Sequence, residues 1–266
     1  MKIFVSLLIL IMLAVMVAGC VDFGDPTLGR DITSSSTEDK DDKGNNNEDK
    51  DNNDESSNNP SGDEGKKEEE PTFDFNSWQL RLVNPWNAIP EGFDPELASI
   101  KSPYAGFNGA KFDARAIDQL HAMCDAAKAD GIKLVIISAY RTNDFQTFNF
   151  NRKVDRVMAA NPNLTREEAE KEAEKVVARP GTSEHQVGLA VDFNSVEDSF
   201  RTTNEYEWLV SHCTDYGFIL RYTAENQSKT GIIPEPWHYR YVGVEAAKKM
   251  EAENLCLEDF IAKYKD

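Results

Sequence analysis

Between Val21 and about Pro71 the chain is almost entirely Asp, Asn, Ser, Glu and Lys. A stretch with so few apolar side chains cannot bury enough surface to offset the entropy of ordering it. It therefore confines folding to residues 72–266. Residues 31–70 hold 15 acidic and 5 basic side chains, a local net of −10 out of −18 for the chain. The folded part is thus only mildly acidic, and it lacks the basic face of a nucleic-acid binder. The acidic run also lacks the spaced Gly and terminal Glu of an EF-hand loop, so it reads as a solvated linker. Fifty flexible residues reach on the order of 40 Å.

The first twenty residues read as an export signal. Lys2 precedes an apolar run from Ile3 to Val17, which is shorter than a usual membrane-spanning helix. Val17-Ala18-Gly19-Cys20 resembles a bacterial lipobox, in which cleavage leaves Cys20 as an acylated N-terminus. The expectation is an extracytoplasmic, membrane-anchored lipoprotein. An ordinary secretory signal or an uncleaved anchor would also export the remainder.

Within residues 72–266 the pattern becomes globular. Trp78, Leu80, Leu82 and Val83 alternate with polar residues as a strand would, ahead of an Asn84-Pro85-Trp86-Asn87 turn. A helix is predicted from an N-cap at Asp113 to Gly131, then a buried strand from Ile132 to Ser138. A polar helical region follows, and Thr165 with Glu168 forms a capping box for a charged helix through Val177. Short strands are expected at Leu189 to Phe193, Phe218 to Tyr222 and His238 to Val242. Helices should span Glu205 to Asp215, Val244 to Glu253 and Leu257 to Lys263. Interleaved helices and short strands define a single α+β domain.

The chemistry concentrates in Ser183-Glu184-His185-Gln186-Val187-Gly188-Leu189-Ala190-Val191-Asp192 and in Glu235-Pro236-Trp237-His238. Two imidazoles and a carboxylate, His185, Asp192 and His238, suit a tetrahedral zinc ion whose fourth position is left to water. Glu235, three residues from a ligand, would be placed to take a proton from that water. Trp237 can wall the site.

Serine, histidine, glycine, small residue and aspartate at these offsets, followed by Glu-x-Trp-His, resemble the signature of the VanY-type zinc D-Ala-D-Ala carboxypeptidases. These are relatives of the VanX dipeptidase and of the Hedgehog fold. Ser138-Ala139-Tyr140-Arg141 resembles the family's segment after a central strand, so the resemblance spans roughly residues 78–265. It implies a small central antiparallel sheet flanked by helices. It also implies Zn2+ on His185, Asp192 and His238, and Glu235 as the catalytic base that later protonates the leaving amine. Arg141 matches an arginine that points into the site, where it would bind either the oxyanion or the substrate's terminal carboxylate. Gln146 and Ser183 match positions that hydrogen-bond the peptide, and Tyr140 would line the pocket. Gln146 also reads as an exposed helix residue, and Ser183 as a turn former.

The implied reaction is release of the C-terminal D-alanine from peptidoglycan stem peptides by a monomer. L,D-carboxypeptidase action on tetrapeptide stems and a non-catalytic Hedgehog-like wall-binding module are the alternatives. An endopeptidase would need a groove open on both sides. His121 and His212 read as structural helix residues. Among Cys124, Cys213 and Cys256 at most one disulfide can form, with Cys213–Cys256 the expected pairing.

Overall fold

The computed structural model describes residues 71–265. The export signal, Cys20 and all but the last residue of the acidic linker lie outside the described residues. β1 (Leu97–Ser99) and β2 (Lys111–Asp113) form an antiparallel ladder. The chain continues through α1 (Ile117–Ala129), β3 (Ile136–Ser138), α2 (Asn143–Ala160), α3 (Arg166–Ala173) and β4 (Ala190–Phe193). It ends with α4 (Asn204–His212), β5 (Phe218–Tyr222), the one-turn α5 (Gln227–Thr230), β6 (Glu235–Tyr241), α6 (Val244–Glu253) and α7 (Leu257–Tyr264). The main sheet has the order β3-β4-β6-β5 with every neighbour antiparallel. This is the expected α+β architecture.

Alternation along the strands separates two faces. Val191, Phe193 and Tyr239 point into the main core, packed with Leu120, Met123 and Ala127 of α1 and Leu209 of α4. Asp192, His238 and Arg240 point the other way, and that polar face is also buried. A second apolar cluster joins Leu80 and Ile219 to α6 and α7 through Met250, Leu257 and Phe260. α2 and α3 pair through Phe150, Val154, Ala169 and Ala173.

Several elements depart from expectation. Residues 78–83 form no strand: the backbone carbonyls of Gln79 and Arg81 accept hydrogen bonds from the Arg240 guanidinium, at 3.1 and 2.7 Å, in place of a ladder. The alternating side chains still pack, with Leu80 and Val83 buried and Trp78 stacked on Tyr241 at 5.7 Å. Asp113 closes β2 and binds Arg115, so α1 begins at Ile117. β3 is shorter than the apolar run because the Ile132 amide bonds back to Ala127 and the Val135 amide donates to Asn194 Oδ1. The Thr165–Glu168 capping box is present, but α3 ends at Ala173, whose carbonyl takes both the Val176 and Val177 amides.

The expected Cys213–Cys256 disulfide is not formed; all three described cysteines are free. Cys213 is buried in the main core, whereas the Cys256 thiol donates to Asp259 Oδ2 at 3.3 Å ahead of α7. Burial pushes the Cys124 and Cys213 thiols up to about 12, which leaves them protonated and poor nucleophiles. His121 accepts the Lys101 amide at 3.1 Å, and His212 stacks on Trp208 at 4.5 Å, both in structural roles.

Candidate metal centre and active site

The sheet register builds the centre. Ser138 pairs with Asp192 and Asp192 with His238, so one rung crosses three strands. His185 arrives from a 3-10 turn, Glu184–Val187, that closes at Gly188 with φ 74°. A Cβ at Gly188 would lie 3.0 Å from Leu97 Cδ2 and 3.4 Å from the Asp113 amide nitrogen, so both the left-handed backbone and the close approach favour glycine.

His185 Nδ1 lies 2.8 Å from the Ala139 carbonyl, to which it donates, and this leaves Nε2 facing Asp192 Oδ2 at 3.3 Å. His238 presents the other nitrogen: Nδ1 is 3.1 Å from Asp192 Oδ1, while Nε2 is 3.3 Å from Glu184 Oε2. The candidate donor atoms of His185, Asp192 and His238 all lie within 4.8 Å of one another. All three residues are buried.

Burial, with Arg141 nearby, lowers the His185 imidazole to about 4. Burial also opposes charge on His238, but the Asp192 and Glu184 carboxylates outweigh it and raise that ring to about 9. Burial would raise Asp192, yet the two imidazoles hold it well below the ordinary carboxylate range. The clustered donors are those of a zinc site: nitrogen and carboxylate ligands, each ring oriented by an outer hydrogen bond. His185 Nε2, His238 Nδ1 and the Asp192 carboxylate fit such an ion.

Glu235 reaches the same pocket. Its Oε2 lies 3.8 Å from His238 Nδ1, and burial raises its carboxyl to about 8. A strand irregularity brings it there: Leu220 pairs with Tyr239, but Tyr222 pairs with Glu235, so β6 carries extra residues at Pro236 and Trp237. Trp237 is half-buried and packs against the main core.

Arg141 also borders the centre. Its guanidinium donates to Ser138 Oγ at 2.7 and 3.0 Å, to Asp192 Oδ2 at 3.0 Å and to Gln146 Oε1 at 3.4 Å. Gln146 is fully buried rather than exposed, and its amide donates to the Ala178 carbonyl at 2.7 Å. Ser183 is buried ahead of the His185 turn, where its carbonyl accepts the Gln186 amide. Tyr140 is half-buried, and its amide donates to Lys111.

Sequence reasoning missed the groups behind His238. Glu184, Arg221 and Arg240 are buried beneath it, and the Tyr222 ring lies 4.7 Å from the imidazole. Strand parity was the available signal for Arg240, two residues from His238 on the same face. For Arg221 it was a cation inside the apolar run Phe218–Tyr222.

An α+β fold with a buried His-Asp-His triplet and a carboxylate beside it has the equipment of a metal-dependent hydrolase. Residues 109–244 match the model of the VanY D-alanyl-D-alanine carboxypeptidase family. The chain belongs to that family and is a metallocarboxypeptidase. It is 43% identical over 189 residues to a D-alanyl-D-alanine carboxypeptidase of Enterococcus faecalis, covering 71% of this chain and 67% of that protein. Two solved structures are each 42% identical and cover 70% of this chain and 99% of theirs. One is a mutant of the vancomycin resistance D,D-pentapeptidase VanY in complex with Zn(II), TM-score 0.61. The other is VanYB in complex with D-alanine-D-alanine, TM-score 0.62.

Proposed function

We propose that the protein is a zinc D,D-carboxypeptidase that releases the C-terminal D-alanine of peptidoglycan stem peptides. The observation that carries this reading is Glu235 Oε2, 3.8 Å from His238 Nδ1 in the pocket where His185, Asp192 and His238 converge. A binding module has no need of a buried carboxylate at that place.

His185, Asp192 and His238 would hold the zinc, which when bound would supply positive charge to acidify water and polarise a carbonyl. Glu235 in its ionised form, which the positive charge of a bound ion would favour, accepts a proton from the attacking water as the new C–O bond forms. It returns that proton to the amine nitrogen as the C–N bond breaks and D-alanine departs. Arg141, held in one orientation by Ser138 and Gln146, presents its guanidinium to the negative oxygen of the substrate. Ser183 and Tyr140 flank the peptide.

The test is mass spectrometry of synthetic pentapeptide and tetrapeptide stems incubated with the zinc-loaded protein and a chelated control. Loss of one alanine from the pentapeptide alone is expected. Loss from the tetrapeptide would make the enzyme an L,D-carboxypeptidase, and no metal-dependent loss from either would overturn the reading.

The Val17–Cys20 pattern supports a lipid anchor that holds the enzyme on the outer face of the cell membrane, where its wall substrate lies. Labelling with an alkyne fatty acid, present on the native chain and absent from Cys20→Ala, checks it. The protein is taken to act as a monomer, and sedimentation velocity checks that.

A further inference from the structure

Glu184 stands between Ser183 and His185, and its side chain is wholly buried. Its two oxygens have different partners. Oε1 accepts from Arg221 Nε at 2.8 Å and from Arg240 at 2.9 Å; Oε2 lies 3.3 Å from His238 Nε2. Both arginines are anchored from behind. Arg221 forks onto Glu258 at 2.6 and 2.8 Å, while Arg240 donates to the carbonyls of Tyr241, Gln79 and Arg81. Two carboxylates and two guanidiniums balance, the condition under which such a cluster is tolerated away from water. Nothing in it is free to turn.

We propose that Glu184 is a positioning residue that decides which nitrogen of His238 faces the metal, an inference that rests on the zinc reading above. An ionised carboxylate only accepts hydrogen bonds, so Oε2 requires the ring proton on Nε2. Without a metal, Asp192 calls for a proton on Nδ1 in the same way, but Asp192 is itself a candidate ligand; the proton an ion would displace is therefore the one on Nδ1, the atom beside Asp192 and Glu235. His185 is set the opposite way by the Ala139 carbonyl, which leaves Nε2 as its donor. The two histidines therefore ligate through different nitrogens, and each choice is made outside the metal's reach.

The arrangement also dictates what a neutral isostere does. In Glu184→Gln the amide oxygen must take the Oε1 place, because both guanidiniums there need an acceptor. The amide N–H then meets His238 Nε2 and holds the proton on Nδ1, where the ion binds. Glu258→Gln weakens the same charge cluster but leaves the Glu184–His238 contact in place.

The first experiment uses the unmutated full chain, labelled with 15N-histidine and loaded with 113Cd, and reads metal–nitrogen couplings by NMR. Coupling to His238 Nδ1 and His185 Nε2, with a proton retained on His238 Nε2, is expected. Coupling to His238 Nε2 overturns the proposal, whereas absence of any bound cadmium overturns the metal reading beneath it. The second experiment measures zinc affinity by chelator competition. Glu184→Gln is expected to weaken it ~10–100-fold, with Glu258→Gln near the unmutated value. Equal affinities in all three proteins, or equal losses in both variants, would sink the idea. If Glu184→Gln does not fold, the cadmium couplings of the unmutated chain decide alone.

Discussion

Glu235 and His238 lie three residues apart on one strand yet face one pocket, with Glu235 Oε2 3.8 Å from His238 Nδ1. On an unbroken strand they would face opposite sides of the sheet. Glu235→Ala removes the proton carrier but none of the candidate ligands. We expect kcat on a pentapeptide stem to fall about 10²–10⁴-fold, with zinc content by elemental analysis unchanged. Full activity in the variant would refute the role.

Arg141 uses three edges of its guanidinium, on Ser138, Gln146 and Asp192. Lysine keeps the charge but has no planar fork. Arg141→Lys should therefore retain zinc and lose ~10²-fold in kcat/KM, the scale of removing one oriented donor. Steady-state kinetics within a factor of two of the native enzyme would show that the fork is not used.

Removing the ion acts on stability as well as on turnover. A ligand present at about 100 times its Kd adds ~2.7 kcal/mol to the folded state. Dialysis against a strong chelator should lower Tm by several degrees and abolish D-alanine release. Readdition of zinc should restore both, and a melting curve indifferent to the metal would be the contrary result.

α3 supplies the control. Thr165 Oγ1 accepts the Glu168 amide, and Glu168 reaches back to the Thr165 amide at 2.8 Å. Thr165→Ala should cost about 1 kcal/mol in urea denaturation while leaving kcat unchanged. A matching loss of activity would tie this helical hairpin to the reaction.

The same box shows which parts of the fold can be read from sequence. Thr165 with Glu168, the short apolar run Phe218–Tyr222 and the apolar spacing of Val244–Glu253 are local signals, and they locate α3, β5 and α6. β1 and β2 hold three residues each, too few to show a period. Trp78 to Val83 shows the right alternation, but Arg240, 159 and 161 residues away from the carbonyls it binds, occupies its backbone. The gathering of His185, Asp192 and His238 was legible through the family resemblance that their two motifs carry together. The partners of Glu184 were not, because Arg221 and Arg240 lie 37 and 56 residues along the chain. Gln146 is polar on a polar helix, and periodicity cannot reveal the Ala178 carbonyl that draws it inward.

The last strand in sequence, β6, does not lie at the sheet's edge; it sits between β4 and β5. A chain halted before residue 235 therefore has a gap where the middle of its sheet should be, and one of its three donors is missing. Such a partial structure offers at most His185 and Asp192 to a cation, so the three-donor set is complete only with the final strand in place.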